Sequence, residues 1–280
     1  MIRRGAGLAA FLVATPVLIG IAYSALASVG LLGPGSTGFS TASWASAFDD
    51  PQLLRGLGWS LWVASAATAL ATMAAVVVAA LFRPGTRSSG VARLLAVMPL
   101  PLSHLAAGVL GVLVLGQSGL LARGAFMAGW IDQPAAMPAL IYDQWGIGLI
   151  VVLAWKEFPF LALIAFSLLA DRGRALEEAA RTLGARGRAV FWAVTWPVLW
   201  RGLMPAVVAV FAFVAGTYEA TVLLAPSDPL ALPLLTMERY TDVGVAKRGE
   251  AHVLVLIGLV VGIGAVALHE AARARDRRAT

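Results

Sequence analysis

The chain has no cysteine and only two lysines, Lys156 and Lys247, among its 280 residues. The first absence excludes disulfides, thiolate nucleophiles and cysteine-ligated metals. The second bears on nucleotide hydrolysis, because a phosphate-cradling loop ends Gly-Lys-Ser/Thr. Trp155 and Ala246 precede the two lysines, so no such loop is present. Histidine is also scarce. His104, His252 and His269 are scattered, with no His-Glu-x-x-His zinc pattern, and no catalytic residue, metal ligand or cofactor is expected. Charge is thin throughout, at 13% Asp, Glu, Lys and Arg.

Apolar residues fill that space. They make up 60% of the chain, and the mean hydropathy is +0.84. A water-soluble core of this size cannot hide so much apolar surface, so the excess faces lipid. A bilayer core of about 30 Å takes roughly 20 apolar residues in a helix. Six stretches qualify, near 7–29, 57–82, 92–116, 146–170, 202–225 and 251–269. The expected fold is an all-α integral membrane bundle of six transmembrane helices. Turn-forming clusters separate them, among them Gly33-Pro34-Gly35-Ser36, Arg83-Pro84-Gly85 and Pro226-Ser227-Asp228-Pro229.

The net charge of +6 invites a nucleic-acid reading, which the distribution of the charges rejects. With the N-terminus inside, fifteen Lys and Arg flank the spans on the cytoplasmic side, from Arg3 and Arg4 through the 171–201 segment to Arg278. Five lie outside (Arg55, Arg123, Arg239, Lys247 and Arg248), and Lys156 lies within a span. The positive-inside rule therefore places both termini in the cytoplasm. Arg3 and Arg4, an apolar run and Ala25-Leu26-Ala27 also fit a signal peptide, but the run is longer than such peptides carry. Ala67, Ala71 and Ala75 in the second span, and Gly258 and Gly262 in the sixth, are spaced for close helix packing. Pro16, Pro99, Pro101 and Pro159 are placed to kink their helices.

The polar segment 171–201 is periodic. Asp171 is a candidate cap, and Leu176, Ala179, Ala180 and Leu183 form one apolar stripe. Arg181 stands at pairing distance from Glu177 and Glu178. Gly184 suits a left-handed C′ turn, and a second amphipathic stretch runs from Ala185 to Trp196, ending at Pro197. A helix, Gly turn and helix facing the cytoplasm result.

Within it, Glu178-Ala179-Ala180, three residues, Gly184, nine residues and Val194-Thr195-Trp196-Pro197 resemble the cytoplasmic signature loop of binding-protein-dependent ABC importer permeases. Val194 and Trp196 stand where that family usually has Ile and Leu. The resemblance covers roughly 55–268. It implies a MetI-like, type I importer permease as one transmembrane domain over 1–280: an N-terminal helix and outer loop (1–54), the core (55–268), the coupling loop (171–201) and a basic cytoplasmic tail (270–280). It further implies that Glu178, Ala179, Ala180, Leu183, Gly184 and Pro197 dock a dimer of ATPase subunits. A second permease, identical or homologous, would complete the pore in the bacterial inner membrane, and a periplasmic binding protein would deliver the solute to outer loops near 30–56, 117–145 and 226–250. Gly216-Thr217-Tyr218-Glu219, Leu223-Leu224 and Ala231-Leu232-Pro233 look like the subgroup moving polyamines, thiamine, ferric iron or phosphonates.

Lys156 and Glu157 fall mid-span beside Pro159, and Glu219 nearer the outer end of the fifth span. Ionisable groups at such depth are candidates for the translocation path. Adjacent on a helix, Lys156 and Glu157 point about 100° apart and each requires its own partner. Glu219 would favour a cationic solute or serve as an interhelical hydrogen bond, and His104 reads as a structural polar contact. Two other functions would make different demands on the sequence. An ion-gradient transporter would carry inverted repeats, which the sequence does not display, and a non-transporting membrane anchor would need no signature loop.

Overall fold

The computed structural model describes residues 2–34, 36, 38–82 and 87–279, with side chains from residue 11 onward except 87–89, 92, 171, 172 and 276–279. The loop expected at Arg83–Gly85, part of that at Gly33–Ser36, and the side chains of Arg3, Arg4, Arg87, Asp171, Arg172, Arg277 and Arg278 lie outside the described residues.

The described residues contain helices and no strand. In chain order they are α1 (Ile2–Ser28), α2 (Ala42–Asp49), α3 (Pro51–Leu81), α4 (Arg87–Val97), α5 (His104–Leu115), α6 (Leu120–Met127) and α7 (Ile147–Leu168). There follow α8 (Arg174–Thr182), α9 (Arg188–Val190), α10 (Trp196–Ala215), α11 (Glu219–Leu224), α12 (Leu232–Thr241) and α13 (Val245–Ala279). Six stretches among them are long and apolar enough to cross a membrane: Phe11–Ser28, Pro51–Leu81, His104–Met127, Ile147–Leu168, Arg188–Ala215 and Val245–Arg275.

Two spans differ from their expected form. The third is not one helix over 92–116. Pro99 and Pro101 each lack a backbone donor, α4 stops at Val97, and a turn leads to Ser103, whose Oγ accepts the Ala106 N–H at 3.1 Å and caps α5. The fifth span starts at 188 rather than 202. A π-helical segment, Phe191–Thr195, joins α9 to α10, so Pro197 opens α10 and does not end the stretch before it. Proline is tolerated in a first helical turn because its missing N–H has no partner to lose there. At its far end that span stops at Gly216.

The chain divides into two compact units. One comprises residues 1–58 and 229–263. Its core is Leu53, Leu232, Leu235 and Leu254, flanked by Leu57, Leu230 and Ile257. Arg239 holds it together electrostatically. Its Nη2 donates to Asp50 Oδ2 at 2.5 Å and its Nε lies 3.7 Å from Glu250 Oε2, while Ser46 Oγ donates to Glu250 Oε1 at 2.6 Å. Ahead of α13, Asp242 accepts the Gly244 N–H at 2.7 Å and pairs with Lys247 at 3.1 Å, which keeps its carboxyl below the usual range. The apolar face of α1 is largely exposed, at Phe11, Val13, Val17 and Ile19 among others. A Cβ on Gly258 would make only ordinary contact, with Leu232 Cδ2 at 3.9 Å.

The other unit comprises 59–228 and 264–280. Along α3, Ala64, Ala67, Ala71, Ala75 and Ala79 are fully buried, as their spacing predicts. α7 is its most buried span and packs against α4, α5, α10 and α11. Pro159 is tolerated within α7 and wholly buried. The segment leading to α7 is pinned by indoles: Trp59 Nε1 donates to Gln144 O at 2.8 Å and Trp62 Nε1 to Trp145 O at 2.9 Å. α5 lies close on α7 and α11 because it carries glycine at the crossings. A Cβ on Gly111 would stand 2.7 Å from Val152 Cγ2, and one on Gly108 would stand 2.9 Å from Leu223 Cδ1.

Gly111→Val therefore forces α5 away from α7. We expect a loss of about 1–3 kcal/mol, the usual cost of overpacking, read as a lower midpoint of thermal unfolding in detergent. Gly124→Ala in α6, where an added methyl meets nothing within 4 Å, leaves the midpoint unchanged or raises it.

Candidate functional site

The polar loop leaves α7 without a break. Leu169–Gly173 continues the helix in π geometry and passes directly into α8, so Asp171 lies inside a helical stretch and not at a helix start. A second π segment, Phe191–Thr195, closes the loop on the other side and touches both the first π segment and α8. Single-turn π geometry marks a helix where an extra residue has been accommodated, often at functional positions.

α8 splits its chemistry by face. Glu177 is buried, and its Oε1 accepts a hydrogen bond of 2.5 Å from Thr195 Oγ1, a residue with 0% exposure. This bond crosses 18 positions of sequence and fastens α8 to the base of α10. Glu178 faces outward and pairs with Arg174 at 3.1 Å, one turn back, rather than with Arg181 as its spacing allowed. Both partners are exposed, so the pair contributes only tenths of a kcal/mol. The stripe of Leu176, Ala179 and Leu183 is exposed as well, Leu183 at 89%, and Ala180 is half-covered.

The end of α8 is a Schellman turn. Gly184 takes φ +88, its N–H bonds to Arg181 O at 3.0 Å, and the Ala185 N–H bonds to Ala180 O at 3.0 Å. An added Cβ on Gly184 would meet nothing within 4 Å, so the glycine is required by the backbone conformation and not by crowding inside this chain. The structure thus gathers Glu178, Ala179, Ala180, Leu183 and Gly184 at one outward end of the loop. Pro197 stands apart, in the first turn of α10.

The charged groups in the spans are arranged differently. Lys156 and Glu157 are both buried, and Glu157 Oε1 lies 2.8 Å from His104 Nε2. His104 is the first residue of α5 and packs against the Phe213 ring at 5.0 Å. The Glu157 carboxylate therefore sits at the N-terminal end of α5, where helix dipole and imidazole both favour an acceptor. That end exists in mid-span only because Pro99 and Pro101 interrupt the helix. Lys156, 8% exposed, has no hydrogen-bond or ion-pair partner among the described residues. Glu219 is exposed in the first turn of the short α11, just past the break at Gly216.

Three features here were not expected: the Glu177–Thr195 bond, the Glu157–His104 pair, and a ladder of Trp192, Trp196 and Trp200 with successive ring centroids 6.0 and 5.4 Å apart. Only the third had a local signal, indoles at every fourth position.

Comparison with known proteins follows the same lines. The family model for binding-protein-dependent transport system inner membrane components matches residues 71–278. The sulfate transport system permease protein CysW of Synechocystis sp. is 31% identical over 167 residues, which cover 58% of this chain and 57% of that protein. The molybdenum transport system permease protein ModB of Mycobacterium tuberculosis is 30% identical over 212 residues, covering 74% and 76%. A bacterial alginate ABC transporter, solved in complex with an alginate pentasaccharide-bound periplasmic protein, shares the fold with a TM-score of 0.63 at 15% identity, over 94% of each chain.

Thr195→Val removes one donor to the buried Glu177 carboxylate, and a lost bond at such a site costs about 1–3 kcal/mol. We expect a lower unfolding midpoint and faster proteolysis of the 171–190 loop, with Thr195→Ser restoring both.

Proposed function

Because the chain belongs to the family of binding-protein-dependent transport system inner membrane components, we propose that it is the membrane-spanning permease subunit of an ATP-driven ABC importer, driven by separate ATPase subunits that dock on the end of α8. The observation that carries the docking is the outward surface of Ala179, Ala180, Leu183 and Gly184. A helix end exposing leucine and alanine on a basic loop has lost its own chain as a partner, and a groove on another protein restores burial. Pro197 contributes by placing α10 behind the loop. The sequence lacks a phosphate-cradling loop of its own, which is why the energy must arrive through such a contact. The distribution of arginines supports a cytoplasmic position for this loop and both termini.

The pore needs a second permease, a copy of this chain or a homologue, and two ATPase subunits. Solute comes from a periplasmic binding protein. The alginate transporter solved with its periplasmic protein supports that last partner by analogy of fold.

Within the span, the charge balance favours an anionic solute. Glu157 is matched by His104, whereas Lys156 is a buried cation that pairs with no acid among the described residues. The names of the relatives, sulfate and molybdenum, agree with that balance better than the polyamines of the resembled subgroup. On this reading Lys156 is the pathway residue, Glu157 holds α5 in place, and the exposed Glu219 is a weaker candidate.

Gly184→Leu strains the turn and Ala180→Arg puts a charge on the docking face. We expect each to abolish solute-stimulated ATPase activity of the co-purified complex while membrane insertion stays normal, and coupled activity surviving both changes refutes the docking. For the path, Lys156→Gln lowers uptake roughly ten- to a hundredfold, the worth of one charged hydrogen bond. Glu219→Gln transports at the wild-type rate, and loss of uptake in that variant would point to a cation.

A further inference from the structure

Beside the loop, at the ends of α7 and α10, lies a cavity of about 440 Å³. Leu168, Leu176, Val194, Pro197 and Val198 line it, and Arg201 stands at its edge. The two walls approach tightly below it, where Gly202 leaves room for the Leu168 side chain; a Cβ there would come within 2.4 Å. Arg201 is exposed and has no ion-pair partner among the described residues. Next to the lining row of α10 runs the tryptophan ladder, with Trp192 and Trp200 about half exposed at 54% and 48%. Arg181, Arg186 and Arg188 are exposed on the loop above.

We propose that this cavity is a binding site for an anionic phospholipid, with acyl methylenes against the leucine and valine wall and the phosphate on Arg201. Three observations select that occupant. The cavity lies between the end of the apolar stretch Ile147–Leu168 and the first half of the stretch Arg188–Ala215, beside the polar loop, a position that suits the boundary where chain meets headgroup. Indoles in a row are the side chains that settle at such a boundary, apolar in body and polar at one edge. The one charged residue that lines the cavity is an arginine, and basic pockets between helix ends on the cytoplasmic side suit anionic headgroups. Leu176 reaches the cavity from the membrane-proximal end of α8, so a bound lipid would brace the coupling loop from behind while Leu183 remains outward at the other end. The site rests on the inward orientation proposed above only for the leaflet it meets.

The experiment is native mass spectrometry of the full importer complex after exchange into nanodiscs of equal phosphatidylglycerol and phosphatidylcholine. Both faces of such a disc carry the same lipids, so the result does not depend on which way the loop faces. We expect wild type to retain phosphatidylglycerol over phosphatidylcholine by about fivefold, the worth of one surface arginine against an anionic headgroup, and Arg201→Gln to show no preference. Val198→Trp, which fills the cavity, should retain neither lipid. A photoreactive residue at position 198 should label lipid. Equal retention of the two lipids by wild type, or a label that goes to an ATPase subunit or a second permease, overturns the site.

Discussion

A peptide group in hydrocarbon has no water to bond with, so every break in a spanning helix must be repaired by the protein itself. That requirement governs where this chain bends. The interruption at 98–103 leaves the first amides of α5 without carbonyl partners. Ser103 takes one, and the Glu157 carboxylate sits beside the same helix end through His104. The break past Ala215 is handled in kind, with Thr217 donating to Phe213 O at 2.9 Å and Thr221 to Thr217 O at 2.7 Å. At the base of the spans the extra residues are absorbed in π geometry, and the Glu177–Thr195 bond lies where those segments meet. Each of these irregularities thus comes with a polar side chain that makes it tolerable.

Charge follows a second economy. On the loop, Arg174 pairs with Glu178 at the surface, where the pair adds little, while Arg181, Arg186 and Arg188 are exposed. Inside unit 1, Arg239 is half-enclosed and is held by Asp50 and Glu250. In the bundle, Glu157 finds histidine. Lys156 alone among these has none within the described residues, which is the asymmetry on which an anionic solute is argued.

Much of this was legible in the residues. Six apolar runs gave six spans, the alanine spacing of the second span gave its buried face, and Gly184 gave the Schellman turn that ends α8. Span boundaries were less legible where hydropathy and helicity part company. Residues 188–201 carry two arginines and three tryptophans, which lower the apolar average without hindering a helix, and the run 92–116 is apolar through a pair of prolines that cannot stay helical. The pairings were not legible at all. Glu177 and Thr195 are 18 positions apart, and Glu157 and His104 are 53 apart. Each of these four reads locally as a polar residue on its own helix, and nothing in periodicity says which will meet. Arg239, by the same token, counted only as an outside charge until the fold brought carboxylates to it.

The two legs of the proposed coupling have different stiffness. α8 is tied to α7 by uninterrupted helix through Leu169–Gly173, and to α10 by the Glu177–Thr195 bond. A displacement of α8 by a docked partner is therefore delivered to two spans at once, one through backbone and one through a side-chain contact. α7 carries Lys156 and Glu157, and α10 carries Phe213, which packs on the histidine that Glu157 holds. Both legs end at the same cluster, so relative sliding of α7 and α10 changes the environment of the His104–Glu157 pair and of Lys156 next to it. A helix interrupted at Pro99 and Pro101 is suited to accept that change, because α5 can follow the cluster without dragging α4. On this argument the prolines of the third span leave α5 free to move with the cluster, and the buried carboxylate keeps α5 in register with α7.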